Sequence, residues 1–197
     1  MNFGLVLGTA AYAVEGTMQV PIPIGRSPAG GDRSIMVGMP GRPLLFVDID
    51  GVLNPYGGES CPVGFIEYDL FPGEEPVRLC ASHAEWLREL SQAFDLIWAS
   101  SWSQHDRALL AATLTLPPFE GEIALPTGRF DPREKVPAVD LVAGERPLAW
   151  VDDLLTVEAW QWAAKRSSPT LLVLIDPTIG LTRARIDELF AWLGTIR

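Results

Sequence analysis

The residues best suited to chemistry are two aspartates, Asp48 and Asp50, which follow a run of apolar residues and directly precede Gly51. An apolar run bounded by turn residues predicts a buried strand, and open α/β sheets bind ligands at the carboxyl ends of their strands. Two carboxylates at such a point can hold a hard cation, and one can act as an oxygen nucleophile. A bare pair of this kind more often forms a turn or a helix cap. Other residues are therefore needed to distinguish a functional site from a turn or a cap.

The elements that would position these aspartates alternate along the chain. Strands are predicted at 44–48, 94–99, 147–151 and 171–175, with a short one at 122–125. Helices are predicted at 75–92, 135–142, 154–166 and 182–193, and another begins at the capping-box residues 103–106. Strands that alternate with helices predict an α/β fold, a Rossmann-like three-layer sandwich whose central parallel sheet is covered on both faces.

The remaining segments set the domain limits. Residues 1–43 are rich in Gly and Pro without a sustained period, which predicts an irregular extension before a domain at 44–197. Met36 and Met39 lie just before the first strand and suggest a native start downstream of Met1, which N-terminal mapping would test. The Pro/Gly-rich loop at 54–73 predicts a small flap, so we expect little or no cap domain and an open site.

Composition narrows the class of function. The net charge of −10 argues against nonspecific binding of nucleic acid but not against a nucleic-acid substrate bound locally. Cys61 and Cys80 have no metal-ligand spacing and fit a reducing cytoplasm. No apolar run reaches the roughly 18 residues of a membrane span, and because the first residues carry no basic segment we expect no signal peptide.

Polar side chains occur in a fixed order near the ends of the predicted strands. Each has an ordinary explanation: a helix cap for the serines and the later acids, a surface position for the lysine. Together, at one edge of a parallel sheet, they favour phosphoryl transfer, in which cations neutralise charge and an oxygen attacks in line. The set consists of Asp48, Asp50, Ser100, Ser101, Lys135, Asp152 and Asp153.

Four segments resemble the motifs of the haloacid dehalogenase-like (HAD) superfamily: VDIDGVLN, LIWASSW, the lysine of PREKVP, and LAWVDD. The resemblance covers residues 44–197. The combination of DGVLNP, WASSW, WVDD and DPTIGLT is similar to a narrower branch, the HAD domain of multidomain RNA-repair proteins. It implies a Mg²⁺-dependent phosphatase that acts through an aspartyl-phosphate intermediate.

The resemblance also implies roles. Asp48 would be the nucleophile, and Asp50 would protonate the leaving group and then activate water. Ser100, where threonine is commoner, would hold the phosphoryl group, and Lys135 would neutralise it, with Arg129 or Arg133 as alternatives.

The Mg²⁺ ligands would be Asp48, the main-chain carbonyl of Asp50, Asp152 and Asp153. Substrate contacts are expected from Asn54, Ser101 and Trp102.

Further aromatic residues and histidines lie near these motifs. Tyr56 and Phe65, in the flap, are additional candidates for contact with substrate. Trp98 and Trp150 lie inside predicted strands, where we expect ordinary packing. His83 is expected on a helix surface, and His105 in the turn after the second motif.

Three readings remain for the function. The branch favours phosphorylated nucleic-acid ends or nucleotides as substrates, whereas the acidic charge favours small-molecule or protein phosphates. A catalytically silent HAD-like interaction module is the alternative to an enzyme. A signalling receiver domain is disfavoured because its acid pair comes first and its phosphoacceptor later, and here the acid pair Asp152 and Asp153 comes last.

Overall fold

The computed structural model describes residues 41–125 and 131–196, in which strands and helices alternate. The strands are β1 (Leu44–Val47), β2 (Ile66–Tyr68), β3 (Val77–Leu79), β4 (Asp95–Trp98), β5 (Gly121–Glu122), β6 (Leu148–Asp152) and β7 (Thr170–Leu174). The helices are α1 (Ser82–Ser91), α2 (Gln104–Leu114), α3 (Lys135–Ala143), α4 (Val157–Ala163) and α5 (Arg183–Thr195). Most of the predicted extension at 1–43, the alternative start at Met36 or Met39, and Arg129 lie outside the described residues.

Five strands form one parallel sheet in the order β5–β4–β1–β6–β7. The central strand β1 pairs with two neighbours, so that Val47 lies beside Trp98 of β4 and Val151 of β6. Because the strands are parallel, the segments that follow them meet at one edge of the sheet. The predicted α/β class is confirmed, and the three strands that precede the aspartate and serine motifs are neighbours.

Helices cover both faces of this sheet. Alternate side chains of β1 face opposite sides: Leu45 and Val47 belong to one buried cluster, and Leu44 and Phe46 to the other. The first cluster contains buried leucines of α1, α2 and α5, and the second contains buried residues of α3 and α4. These two cores make the three-layer sandwich and leave the carboxyl edge of the sheet to the polar loops.

The segment after β1 is a hairpin followed by a helix that begins later than predicted. The sequence predicts a helix from residue 75, but Val77–Leu79 is the strand β3, antiparallel to β2, and α1 begins at Ser82. Val77 and Leu79 are buried while Arg78 between them is not, a period of two that is typical of a strand. The prediction was wrong because Val77 and Leu79 also fit a helical apolar stripe, and pairing with β2 decides between the two.

Two other boundaries differ by a few residues, and one predicted helix cap is confirmed. Helix α4 starts at Val157 rather than 154 because Thr156 is its N-cap, with Oγ1 accepting from the Ala159 amide at 3.4 Å. The predicted strand at 122–125 is the two-residue strand Gly121–Glu122, which pairs with β4. The predicted cap of α2 is confirmed: Ser103 Oγ accepts from the Asp106 amide at 3.2 Å.

His83 is buried, contrary to its predicted place on a helix surface. Its Nε2 lies 3.1 Å from the carbonyl oxygen of Leu181, and the ring of Phe65 packs edge-on against it. On α1, His83 shares a face with the buried residues Leu87 and Leu90, at spacings of four and three. The helical period therefore indicates an inward position. The prediction placed His83 on the surface because histidine is a polar residue type.

No helix within residues 41–125 and 131–196 is long and apolar enough to cross a membrane.

Candidate functional site

The site is centred on Asp48, the residue that directly follows the central strand β1. Its amide donates to the carbonyl oxygen of Val151 at 3.1 Å, which continues the ladder between β1 and β6 for one more residue. Its carboxylate is buried: Oδ1 accepts from the Ile49 amide at 2.8 Å, and Oδ2 accepts from Lys135 Nζ at 2.5 Å. Both carboxylate oxygens are therefore fixed in place by groups from the protein.

Lys135, the first residue of α3, places its ammonium group between two carboxylates. Its side chain is 2% exposed, and Nζ lies 2.5 Å from Asp48 Oδ2 and 2.6 Å from Asp152 Oδ2. A 3₁₀ turn at Pro132–Glu134 leads into α3. The alternative cation, Arg133, is exposed on that turn and bonds to Asp131 at 2.6 Å. The structure thus brings Lys135 to the aspartates and leaves Arg133 outside the site.

The acid pair lies at the end of β6, on the same edge of the sheet: Asp152 is the last residue of that strand, and Asp153 follows it. Asp152 is fully buried, and its Oδ2 accepts from both Lys135 and the indole Nε1 of Trp150, the latter at 3.0 Å. Asp153 Oδ2 accepts from the hydroxyl of Tyr56 at 2.6 Å. Each acid is thus oriented by at least one hydrogen bond from a distinct aromatic residue.

Burial and mutual repulsion dominate the electrostatics of this cluster. Burial, together with the charge of Asp152, raises the pKa of Asp48 well above its usual range, although Lys135 opposes the shift. Burial also raises the pKa of Asp153, and the hydrogen bond from Tyr56 opposes it. For Lys135, burial lowers the pKa, but the charges of Asp48 and Asp152 outweigh it and raise the pKa overall. One ammonium group therefore faces three carboxyl groups, and an added cation would reduce the repulsion that remains between them.

The donor set fits a hard divalent cation. One carboxylate oxygen from each of Asp48, Asp152 and Asp153 lies within 4.8 Å of the other two, close enough to share one ion. Carboxylate oxygens are the ligands that Mg²⁺ prefers, usually with water completing its shell. The three acids can therefore hold Mg²⁺ beside Lys135.

Gly51 brings the turn after β1 against the acid pair. Its φ of +70° is in the left-handed region, and a Cβ there would lie 2.4 Å from Asp153 Cγ. The turn is closed by amides of residues 52–54, which all donate to the carbonyl oxygen of Ile49. Only glycine combines this backbone conformation with so close an approach.

Asp50, the second acid of the first motif, is held by two neutral donors. Its Oδ1 accepts from Asn54 Nδ2 at 3.0 Å, and its Oδ2 accepts from the Trp102 indole at 2.8 Å. Asn54 and Trp102, which the sequence analysis assigns to substrate contact, thus both contact Asp50.

The two serines after β4 differ in exposure. Ser100 is buried, and its Oγ accepts from the Trp102 amide at 3.3 Å. Ser101 is exposed and lines a cavity of about 420 Å³ together with Asp48, Asp50 and Lys135. A second cavity of about 520 Å³ shares Asp50 and Ser101 with the first. The aspartate, serine and lysine motifs therefore open onto connected space.

Charge along this space is mostly negative. Glu75 lines both cavities, and Glu74 and Asp106 line the larger one. Lys135 is the sole basic residue among the described residues that line either cavity.

Sequence reasoning missed two positions that orient the acids. Trp150 was expected only to pack, yet its indole also donates to Asp152, two residues along the same strand. Tyr56 was expected near substrate and lines the cavity, and its hydroxyl also bonds to Asp153, which is 97 residues away in the chain. The presence of an indole two positions before the first acid is the one signal that could have indicated such a contact.

The remaining aromatic residues and the histidine singled out in the sequence have no hydrogen bond to the acids among the contacts of the described residues. Trp98 is buried and stacks on Phe119, and Phe65 packs against His83. His105 is exposed on α2.

Comparisons with known proteins show the family and the fold of this chain. Residues 44–186 match the model of a family described as the HAD domain in Swiss Army Knife RNA repair proteins. The solved structure of the HAD domain of the effector protein Lem4 from Legionella pneumophila is similar in fold, with a TM-score of 0.54 at 11% identity, covering 79% of this chain and 95% of that one. Comparison with curated proteins found no match.

Proposed function

Because this chain belongs to the family of HAD domains found in Swiss Army Knife RNA repair proteins, we propose that it is a Mg²⁺-dependent phosphohydrolase that works through an aspartyl-phosphate. The observation that carries the proposal is the ammonium group of Lys135 bonded to Asp48 at 2.5 Å and to Asp152 at 2.6 Å, with Asp153 close enough to share a cation. A buried acid cluster at the end of the central strand combines an oxygen nucleophile with the charges that phosphoryl transfer needs.

In the first half of the reaction, a carboxylate oxygen of Asp48 attacks the phosphorus atom of a phosphate monoester. The new oxygen–phosphorus bond forms as the bond to the leaving oxygen breaks, and Asp50 gives its proton to that oxygen. Lys135 lies against Asp48 and offsets negative charge on the phosphoryl group. The hydroxyl of Ser101, which lines the cavity, and the backbone around Ser100 would donate to phosphoryl oxygens.

In the second half, water replaces Asp48. Asp50, now ionised, takes a proton from water as the water oxygen bonds to phosphorus and the Asp48–phosphorus bond breaks. Inorganic phosphate leaves, and both aspartates return to their starting protonation states. One carboxyl group thus serves as acid and then as base, and no other proton carrier is required.

Asp48, Asp152 and Asp153 would hold the Mg²⁺, and the resemblance to HAD proteins implies the main-chain carbonyl of Asp50 as a further ligand. When bound, the ion supplies positive charge that offsets the negative charge of the transferring phosphoryl group.

The substrate is proposed to be a terminal phosphate on a nucleotide or on a nucleic-acid end. The family description points to RNA repair. The carboxylates of Glu74, Glu75 and Asp106 near the site would repel a long polyanion, so a substrate that presents one terminal phosphate suits the cavity better than an internal phosphodiester. A small-molecule or protein phosphate satisfies the same geometry and is the alternative.

Phosphate release with Mg²⁺, for the wild type and for Asp48→Asn, tests the proposal. We expect Mg²⁺-dependent release in the wild type and a loss of at least about 1,000-fold in the variant, because the amide is no nucleophile. Asp187→Asn, an exposed acid-to-amide change on α5, is the matched control and should retain full activity. Substantial turnover by a folded Asp48→Asn protein would remove Asp48 from the nucleophile role.

The substrate panel should contain an aryl phosphate, nucleotides, sugar phosphates, a phosphopeptide, and oligonucleotides with 5′- or 3′-phosphates. Preference for the oligonucleotides or nucleotides supports the repair assignment, and preference for the others supports the alternative. A folded wild-type protein that binds Mg²⁺ but hydrolyses none of them would favour a catalytically silent interaction module.

A further inference from the structure

We propose that Trp102 and Asn54 are positioning residues that orient the Asp50 carboxylate toward the reacting phosphate. This inference rests on the proposed function, in which Asp50 transfers the proton. The two residues come from different segments: Asn54 ends the turn after β1, and Trp102 follows β4. Each donates to a different oxygen of Asp50, at 3.0 Å and 2.8 Å respectively.

Asn54 is itself held in one orientation. Its Oδ1 accepts from the amide of Arg78 in β3 at 2.9 Å, so its NH₂ group must be the end that faces Asp50. The reverse amide orientation would set a carbonyl oxygen against the carboxylate and lose both hydrogen bonds. The hairpin β2–β3 therefore fixes Asn54, and Asn54 fixes one oxygen of Asp50.

Trp102 is held through its backbone and its ring. Its amide donates to Ser100 Oγ at 3.3 Å, its carbonyl accepts from the guanidinium of Arg107, and its ring packs edge-on against Phe71 with 5.3 Å between centroids. The indole N–H consequently points at Asp50 from a rigid support. The indole N–H, which is the polar group that the Trp102 ring could offer to a substrate, already donates to Asp50.

These two bonds leave Asp50 able to react while fixing its direction. A carboxylate offers about four lone-pair positions, and the two donors occupy one on each oxygen. A remaining position can carry the proton that Asp50 gives to the leaving oxygen and can later accept a proton from water, and the plane of the carboxyl group is no longer free to rotate. Fixed direction is what proton transfer in a short-lived transition state requires.

Leaving-group dependence separates this role from general support of the fold. A misaligned acid matters most when the departing alkoxide is a strong base, and hardly at all when it departs unaided. For Trp102→Phe we expect kcat/KM to fall about 10-fold or more with an alkyl phosphate and less than about 3-fold with 4-nitrophenyl phosphate. Asp50→Asn should show the same selectivity more strongly.

Two further variants complete the kinetic test. Trp192→Phe is the matched control, because Trp192 is also half-buried and packs against a phenylalanine, Phe94, away from the site; it should leave both rates unchanged. Asn54→Asp keeps an oxygen for the Arg78 amide but turns the donor near Asp50 into a like charge, so its leaving-group selectivity should exceed that of Trp102→Phe. Equal losses on both substrates in Trp102→Phe, or no loss, would overturn the proposal.

An NMR measurement tests the contact independently of turnover. The indole N–H resonance of Trp102 is identified by its absence in Trp102→Phe. In Asp50→Ala this resonance should move upfield and exchange faster with solvent, and an unchanged resonance would overturn the proposal. If the resonance moves but the wild type hydrolyses no phosphate, the proposed function fails and the positioning role fails with it, although the hydrogen bond is real.

Discussion

The hydroxyl of Tyr56 donates a 2.6 Å hydrogen bond to Asp153 Oδ2, joining the loop after β1 to the acid that follows β6. Burial and this bond both raise the pKa of Tyr56, so the hydroxyl stays protonated and remains a donor. The amide of Tyr56 also donates to the carbonyl oxygen of Pro177 at 2.8 Å, which anchors the ring beside the site. Hydrogen bonds to ligating carboxylates orient them for metal binding.

Tyr56→Phe is therefore expected to weaken Mg²⁺ binding about 10-fold, the lower end of the range for loss of such an outer partner. Isothermal titration calorimetry with Mg²⁺, or Mn²⁺ binding followed by electron paramagnetic resonance, would measure the change. Tyr68→Phe, a half-buried tyrosine in β2, is the control and should bind as the wild type does. Unchanged affinity in Tyr56→Phe would mean that Asp153 needs no orientation or is no ligand.

Lys135→Met should destabilise the metal-free protein by about 3–5 kcal/mol, because two buried carboxylates would lose the ammonium group that they share. Mg²⁺ should restore part of this loss, so the stabilisation by Mg²⁺ should be larger in the variant than in the wild type. Urea unfolding with and without Mg²⁺ measures both quantities. Lys165→Met, on the surface, controls for loss of a positive charge; a Lys135→Met protein as stable as the wild type without metal would contradict the expectation.

Gly51→Ala should remove metal binding and turnover together, because its Cβ would lie 2.4 Å from Asp153 Cγ and displace that carboxylate. Gly64→Ala separates this effect from backbone strain. Gly64 also has a positive φ, +89°, but nothing lies within 4 Å of its Cβ position. The control should lose about 1 kcal/mol of stability and keep its activity. Full Mg²⁺ affinity in Gly51→Ala would show that the turn can move without disturbing Asp153.

Acid should destabilise the fold through His83. Burial lowers its pKa from 6.5 to about 4, while the hydrogen bond to Leu181 opposes the shift. Between these two pH values the unfolded chain binds a proton at His83 that the folded chain does not. The contribution of the neutral, buried His83 to the free energy of unfolding is therefore fully present above about pH 6.5 and is lost as the pH falls toward 4. The expected loss is about 3 kcal/mol.

Urea unfolding from pH 7 to pH 4 tests this expectation. In His83→Gln the stability should fall less steeply over that interval, whereas His105→Gln, on the exposed face of α2, should follow the wild type. Parallel curves for all three proteins would exclude His83 as the cause.

The strands and the acids that follow them could be predicted because both depend on local pattern. The apolar run before Asp48 and the run before Asp152 are short, buried and bounded by turn residues, and parallel topology alone brings their ends together. Lys135 could be placed only through the resemblance, since nothing in its own neighbourhood distinguishes it from a surface lysine.

Contacts between distant segments could not be predicted in the same way. The bonds from Tyr56 to Asp153 and from Trp102 to Asp50 join residues 97 and 52 positions apart, and no local period encodes them. His83 was misplaced because its polar residue type was given more weight than its helical position, and the hairpin at Val77–Leu79 failed for another reason. There, the residue pattern fits two structures, and packing against the rest of the chain decides between them.

The central place of β1 also determines how the site is lost on heating. Asp48 is bonded through its amide to Val151, and β1 pairs on both sides, with β4 and β6. Strands in such positions open only with the whole molecule, and their amides exchange last with solvent. The acid cluster is therefore not lost by local fraying of an edge strand. We expect the loss of activity on heating to follow the same curve as global unfolding.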